Sequence, residues 1–356
     1  MKVLYLAELI FPSKKAYAIH VMKMCNALSK KNNIQLIIFK NNEKNIFKTY
    51  NCESKFSINE LKLNKINFIN RLKFTFGLLK YVNSKKILII SRSVLGALYL
   101  SLKGYNVVLE IHHELRSFTK YIFNISKYCN FFKKVKFIFI SKELVKKYSI
   151  NNKSIILDDA VDLIDFKKSS NSTKFKNTCC YTGSFAKGKG LEKIFEISKK
   201  LKKIKFHIYG DFSNSEYSIN DFKKYKNVIY KGYIKYSKIP NVLKRYEVVL
   251  MPYSNTVFGR GKNLEIGKYM SPMKLFDYLA SGSIIIASKL EVYRHILNKR
   301  NSILVEEDKI EQWANQINLV FNNLKKFKYL KKNSKLIIKN YSWDIRAKKI
   351  IEFVNV

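Results

Sequence analysis

Short apolar runs recur along the chain, separated by stretches whose apolar positions return every third or fourth residue. The runs predict strands over 3–8, 34–39, 87–91, 107–112, 137–141 and 154–157. The helical spacing between them predicts helices over 18–29, 70–82, 95–102 and 142–148. This alternation implies a doubly wound parallel sheet in an α/β protein. A polar stretch over 167–177 breaks the rhythm and suits a linker. The cycle restarts at Thr178, with strands expected over 179–182, 205–209, 228–231, 248–251, 284–287 and 303–306. The organisation read from the pattern is a first domain over 1–166, the linker, a second domain over 178–340 and a closing helical segment over 341–356. The segment 41–64 is polar and weakly patterned, which predicts loops. The longest apolar stretch, 87–102, is interrupted by Arg92 and reads as strand plus helix rather than a membrane span.

Two segments carry anion chemistry. In Ser271-Pro-Met-Lys-Leu-Phe-Asp-Tyr-Leu-Ala-Ser-Gly282, Ser271 is expected to cap a helix with Pro272 at its first position. The free N–H groups of the first turn after Pro272, at Met273 and Lys274, and the helix dipole would then face a phosphate. Lys274 offers a cation, and Asp277, three residues on, offers sugar hydroxyls a carboxylate. Upstream, strand-like Cys179-Cys-Tyr-Thr182 leads through Gly183-Ser-Phe-Ala-Lys-Gly-Lys-Gly190 into helix-like Leu191-Glu-Lys-Ile. A glycine-rich strand-to-helix turn carrying lysines lets backbone and ammonium groups approach phosphate closely.

Composition adjusts this picture in two ways. The 356 residues suit two domains, and the formal charge of +42 makes anionic lipid a candidate neighbour, although lysine, asparagine and isoleucine are abundant everywhere rather than in one patch. The five cysteines, Cys25, Cys52, Cys129, Cys179 and Cys180, show no metal-ligand spacing and read as reduced thiols. With no signal-peptide pattern, the expectation is a cytoplasmic protein, soluble or peripheral to the inner face of the membrane.

In this order, the segments resemble the retaining GT-B glycosyltransferases of the GT4 family (glycosyltransferase group 1). The resemblance runs from Met1-Lys-Val-Leu-Tyr-Leu and Pro12-Ser-Lys-Lys-Ala-Tyr-Ala-Ile-His-Val-Met, through Glu110-Ile-His-His113, Phe137-Ile-Phe-Ile-Ser141 and Asp159-Ala-Val-Asp162. It continues with Lys189-Gly190, Ile208-Tyr-Gly210, Val228-Ile-Tyr-Lys-Gly232, Leu250-Met-Pro-Tyr253, the Ser271 segment and Tyr341-Ser-Trp343. It implies two Rossmann-like domains facing a central cleft, with the closing helix crossing back to the first.

It also implies a nucleotide-diphosphate sugar as donor and a glycan or lipid-linked acceptor; with no metal-ligand spacing among the few histidines and acids, no cofactor or metal is expected. Lys189 would contact the diphosphate with the backbone at Gly183 and Ser184. Many relatives carry an arginine where Ser184 stands, and Arg260 or Lys274 is the substitute cation. Relatives commonly carry two glutamates with seven residues between them; here the positions hold Tyr269 and Asp277, the latter on the ribose hydroxyls. Gly210, Gly232 and Tyr233 would line ribose and base. His112 or His113 would approach the donor sugar, with His112 favoured because Glu110, His112 and Glu114 would share one face of a continuing strand. The opening loop lacks the family's glycine pair, leaving Ser13, Lys14 and Lys15 for the contacts, and His20 reads as structural. The implied chemistry is front-face attack with retention, the leaving diphosphate taking the acceptor proton, in bacterial surface-glycan synthesis such as lipopolysaccharide or capsule.

Competing readings are a nucleotide-sugar epimerase, a phosphorylase, a non-catalytic relative, and a nucleic-acid- or membrane-binding protein. No carboxylate pair, pyridoxal-lysine context or nucleic-acid module supports the first, second and nucleic-acid readings. The basic, aromatic segment 68–82 reads either as core packing or as a membrane-facing helix.

Overall fold

The computed structural model describes residues 1–168, 173–213, 215–259 and 265–355. It contains two compact units, one combining Met1–Asp159 with Trp343–Val356 and the other spanning Ala160–Ser342.

In the first unit seven strands lie parallel in the order Ser57–Glu60, Asn33–Ile38, Lys2–Leu6, Leu88–Ser91, Val107–Ile111, Val135–Phe139 and Ser154–Ile156. Central strands are mostly apolar because helices cover both faces; Tyr5, level with Leu36 and Ile90, is fully buried. The edge strand Ser57–Glu60 falls inside the segment expected to be loop. It is half-exposed and alternates no apolar face, so only its pairing with Gln35–Ile38 makes it a strand. The helix expected over 70–82 is Phe68–Gly77, capped by the Asn67 side chain and followed by a 3₁₀ turn at Leu78–Tyr81. A further helix, Ser117–Tyr128, escapes the periodicity because apolar residues lie on its exposed face as well as its buried one.

The second unit holds six parallel strands in the order Val228–Tyr230, Lys205–Tyr209, Thr178–Thr182, Val248–Met251, Ile284–Ser288 and Ile303–Val305. Consecutive strand residues feed two separate apolar layers. Cys180, Val249, Met251 and Ile285 enter one, while Cys179, Tyr181, Val248 and Ile284 enter the other.

The expected linker over 167–177 lies partly outside the described residues, at 169–172. The change of unit falls between Asp159 and Ala160, and Leu163–Lys168 is a helix whose Phe166 is buried in the second unit. Phe175, within the same polar stretch, donates its N–H to the Arg245 carbonyl at 2.9 Å and packs on Tyr246. Phe166 and Phe175 both pack against the second unit's core. The return helix, Trp343–Asn355, belongs to the first unit. Among the described residues no helix is long and apolar enough to cross a membrane.

Candidate functional site

In the second unit, three glycines close the carboxyl ends of three neighbouring strands. Gly183 donates its N–H to the Tyr209 carbonyl at 2.9 Å, and Gly210 donates to Gly232 at 3.0 Å. A Cβ on Gly210 would lie 2.0 Å from the Gly183 carbonyl oxygen, so these two turns touch through bare backbone. Gly190, at φ 85°, starts the Leu191–Lys200 helix where a Cβ would strike the Pro252 carbonyl at 2.0 Å. The carboxyl ends of parallel strands are where open α/β sheets bind ligands.

The helix after this edge begins one residue later than expected: it spans Met273–Ser281, with Pro272 in the extended N-cap position and no side-chain cap. The correction follows from the Pro272 backbone, whose ψ of 121° is not helical, so Ser271 lies outside the helix and buried. Gly282 ends the helix in the left-handed conformation, as a glycine C-cap does.

Lys274 is the unusual residue here. Its Nζ is buried without a hydrogen-bond partner among the described residues, 3.7 Å from the centre of the Tyr181 ring and 4.7 Å from that of Tyr253. A Cβ added at Gly183 would lie 2.9 Å from the same nitrogen, so the ammonium points at the glycine turn. Burial, and then the nearby Lys189 charge, hold the Lys274 amine well below its ordinary range. Lys189 itself donates to Ser184 Oγ at 3.0 Å, folding its ammonium back over that turn. The Lys274 amine and the Lys189 ammonium thus converge on Gly183-Ser184. Such an arrangement is completed by an anion.

One turn along the helix, Asp277 is buried and accepts a hydrogen bond from the Tyr236 hydroxyl at 3.1 Å. Tyr236 is held well above the usual phenol range by burial and then by that carboxylate, so it remains a donor. Tyr233 is exposed, and Met273 is buried. Tyr181 and Tyr253 lie in motif segments but carry no assigned role there, and Tyr236 lies in none, because only the packing brings them to Lys274 and Asp277. Arg260 lies outside the described residues.

In the first unit, His112 follows the strand Val107–Ile111 directly. Its Nε2 is buried with no hydrogen-bond partner among the described residues. Burial, then the Arg92 charge, keep the imidazole well below its ordinary pKa and therefore neutral. His113 is exposed and its Nδ1 lies 3.0 Å from the Glu114 carbonyl, so the two histidines are not equivalent. The face expected to join Glu110, His112 and Glu114 is corrected, because the strand stops at Ile111. Glu114 instead pairs with Lys147 at 2.9 Å.

Glu110 is the centre of a buried network. Its carboxylate accepts from Arg346 Nη1 at 2.8 Å and from the Tyr5 hydroxyl at 2.6 Å. Burial alone would raise this carboxyl, but the Arg346 charge and the His20 contacts outweigh it and hold the group well below the usual range. His20, whose Nδ1 lies 2.6 Å from Asp159 Oδ1, stands edge-on to both His112 and Trp343. Arg346 also donates to the Asp158 carbonyl at 3.0 Å. Tyr5 and Asp159 lie in motif segments but carry no assigned role there, and Arg346 lies in none, because the three converge from distant parts of the chain. His20, Glu110 and His112 bring one ligand atom each within 4.8 Å of one another, a donor set of the kind that holds a divalent cation. Glu110 already shares both oxygens with Arg346 and Tyr5, so a cation there would sit against a guanidinium.

Residues 164–337, just under half of the chain, match the family model described as Glycosyl transferases group 1. No curated protein matches the chain in sequence. A solved glycosyltransferase from Rickettsia africae ESF-5 is 15% identical, with a TM-score of 0.73 over 99% of this chain and 97% of its own. Anabaena Alr3699/HepE, solved in complex with UDP, is 13% identical with a TM-score of 0.71 over 100% of both chains. The lipopolysaccharide outer core galactosyltransferase WaaB is 16% identical, with a TM-score of 0.66 over 99% of each. The two-sheet parallel fold is therefore that of the GT-B glycosyltransferases, and the second unit carries the match to group 1 of the glycosyl transferases.

Proposed function

We propose that this chain is a retaining glycosyltransferase of the GT4 type, a hexosyltransferase using a nucleotide-diphosphate sugar and a glycan or lipid-linked acceptor. The observation that carries the reading is the buried Lys274 ammonium, without a hydrogen-bond partner among the described residues and aimed with Lys189 at the Gly183 turn. A diphosphate supplies the missing counter-charge. Anabaena Alr3699/HepE, similar in fold and solved with UDP and with UDP-glucose, supports this choice.

In this reading Lys189 and Lys274 neutralise the leaving diphosphate, with the backbone at Gly183, Ser184, Ser271, Pro272 and Met273 beside it. Gly210, Gly232 and Tyr233 border base and ribose, Asp277 accepts from ribose hydroxyls, and neutral His112 serves the donor sugar. The bond from the anomeric carbon to the phosphate oxygen breaks as the acceptor oxygen attacks the same face, and the acceptor proton passes to the departing diphosphate. No metal is assigned a step. The setting is bacterial surface-glycan synthesis, such as lipopolysaccharide or capsule, at the cytoplasmic face of the membrane.

Thermal denaturation against UDP, GDP, ADP, CMP and their sugar conjugates, with chelator and again with magnesium, tests the donor. Stabilisation by one nucleoside diphosphate that survives chelation is expected. No stabilisation by any of them refutes the reading, and an inverted anomer in the product refutes retention.

A further inference from the structure

A solvent-facing apolar surface runs across two helices of the first unit. On Ser117–Tyr128 the residues Phe118, Tyr121, Ile125 and Tyr128 recur at helical spacing on one stripe, while Phe123 and Ser126 face the core. The stripe is open to solvent, with Tyr121 73%, Ile125 56% and Tyr128 90% exposed. On Phe68–Gly77 the arrangement repeats, with Ile69 62% and Phe76 60% exposed and Phe74 buried. The two helices are joined at their starts, where the Phe68 and Phe118 rings meet edge-on at 4.4 Å. Apolar residues scattered singly need no explanation, but a stripe on each of two touching helices marks an interaction surface.

The surrounding charge says what covers it. No Asp or Glu occurs between Glu60 and Glu110, nor between Glu114 and Glu143, whereas Lys65, Lys73, Lys80, Arg116 and Lys120 are all exposed around the two stripes. An apolar face flanked by exposed cations, with no acidic residue in either helix, complements a layer whose surface is anionic and whose interior is hydrocarbon. We infer that this two-helix surface seats the first unit on an anionic lipid bilayer, the aromatic and aliphatic side chains entering the headgroup boundary and the lysines meeting phosphate. This goes beyond the charge of the chain as a whole, because it assigns binding to particular side chains. It is independent of the donor chemistry, since no substrate is needed to observe it.

Co-sedimentation of the full chain with vesicles of phosphatidylglycerol and phosphatidylcholine, and with phosphatidylcholine alone, provides the test. The expected result is binding to the anionic vesicles only. Two variants, Tyr121→Ser/Ile125→Ser/Tyr128→Ser and Ile69→Ser/Phe76→Ser, should each weaken it at least about tenfold. A control, Leu319→Ser/Tyr329→Ser/Leu336→Ser, removes exposed apolar residues of the second unit and should bind as the parent does. These side chains are exposed, so circular dichroism should show all three variants folded. Three results would overturn the inference: no vesicle binding by the parent; equal binding by parent and variants, which leaves net charge as the cause; or a self-associated parent in sedimentation velocity that the same substitutions dissociate.

Discussion

Replacing Lys274 by methionine should make the empty protein more stable and the ligand response smaller. The two effects have one physical cause. The ammonium is buried, lacks a hydrogen-bond partner among the described residues, and is compensated by the faces of Tyr181 and Tyr253. Cation–π contacts of this kind contribute about 2 kcal/mol each when desolvated. The desolvation of a buried ion costs several kcal/mol, and apolar replacement of such ions ranges from neutral to stabilising by about 4 kcal/mol. A net gain of about 1–2 kcal/mol is therefore expected, raising Tm by about 2–8 °C for a unit of this size. The same substitution removes a charge-assisted contact of about 1.5–3 kcal/mol to the diphosphate, weakening Kd by about 10- to 150-fold. At a ligand concentration giving the parent about 2.7 kcal/mol of stabilisation, the variant would gain about 1.4 kcal/mol or less. The pH dependence has a definite sign. The folded Lys274 amine is held below its ordinary value of 10.5, so the unfolded chain binds more protons and parent stability rises with pH towards that value. The Tm gap between variant and parent should accordingly narrow as the pH is raised. Differential scanning calorimetry with and without nucleoside diphosphate measures all three quantities. A variant less stable than the parent when empty, or one that keeps the full ligand shift, would show that Lys274 is structural and would sink the anion-site reasoning.

Other expectations rest on single contacts. Gly210→Ala pushes a Cβ to 2.0 Å of the Gly183 carbonyl and should cost about 1–3 kcal/mol in urea unfolding while also reducing the nucleotide shift. Unchanged stability would mean the two turns are not in contact. Asp277→Asn should weaken nucleoside diphosphate binding about tenfold and abolish the parent's preference over the dideoxyribose analogue lacking both ribose hydroxyls. Retained preference in isothermal titration would remove Asp277 from ribose recognition. Arg346→Met strands the Glu110 carboxylate and should cost about 3–5 kcal/mol, with Glu110→Gln restoring part of it in a double-mutant cycle. Because Glu110 is held below the usual carboxylate range, its contribution is present above the unfolded value of 4.5 and lost as the pH falls through the folded one. The acid-unfolding midpoint of Arg346→Met should therefore move to higher pH.

The apolar runs and their helical interludes determined the two parallel sheets, because a strand covered on both faces must be apolar along its whole length. Glycine positions and the lysines beside them marked the candidate anion site for a related reason: a Cβ at Gly190 or Gly210 would strike backbone, and one at Gly183 would strike the Lys274 side chain. Chain pattern failed where burial is decided by distant partners. Ser57–Glu60 is a strand only through Asn33–Ile38, and Phe175 is held by Arg245 and Tyr246 although its neighbours are polar. Tertiary structure alone decided that Lys274 is enclosed by two tyrosine rings, that Tyr236 donates to Asp277, and that Glu110 rests on Arg346 from the far end of the chain. Local spacing encodes which face of an element is apolar, but a side chain's charge state and partners depend on what the folded chain packs against it from elsewhere.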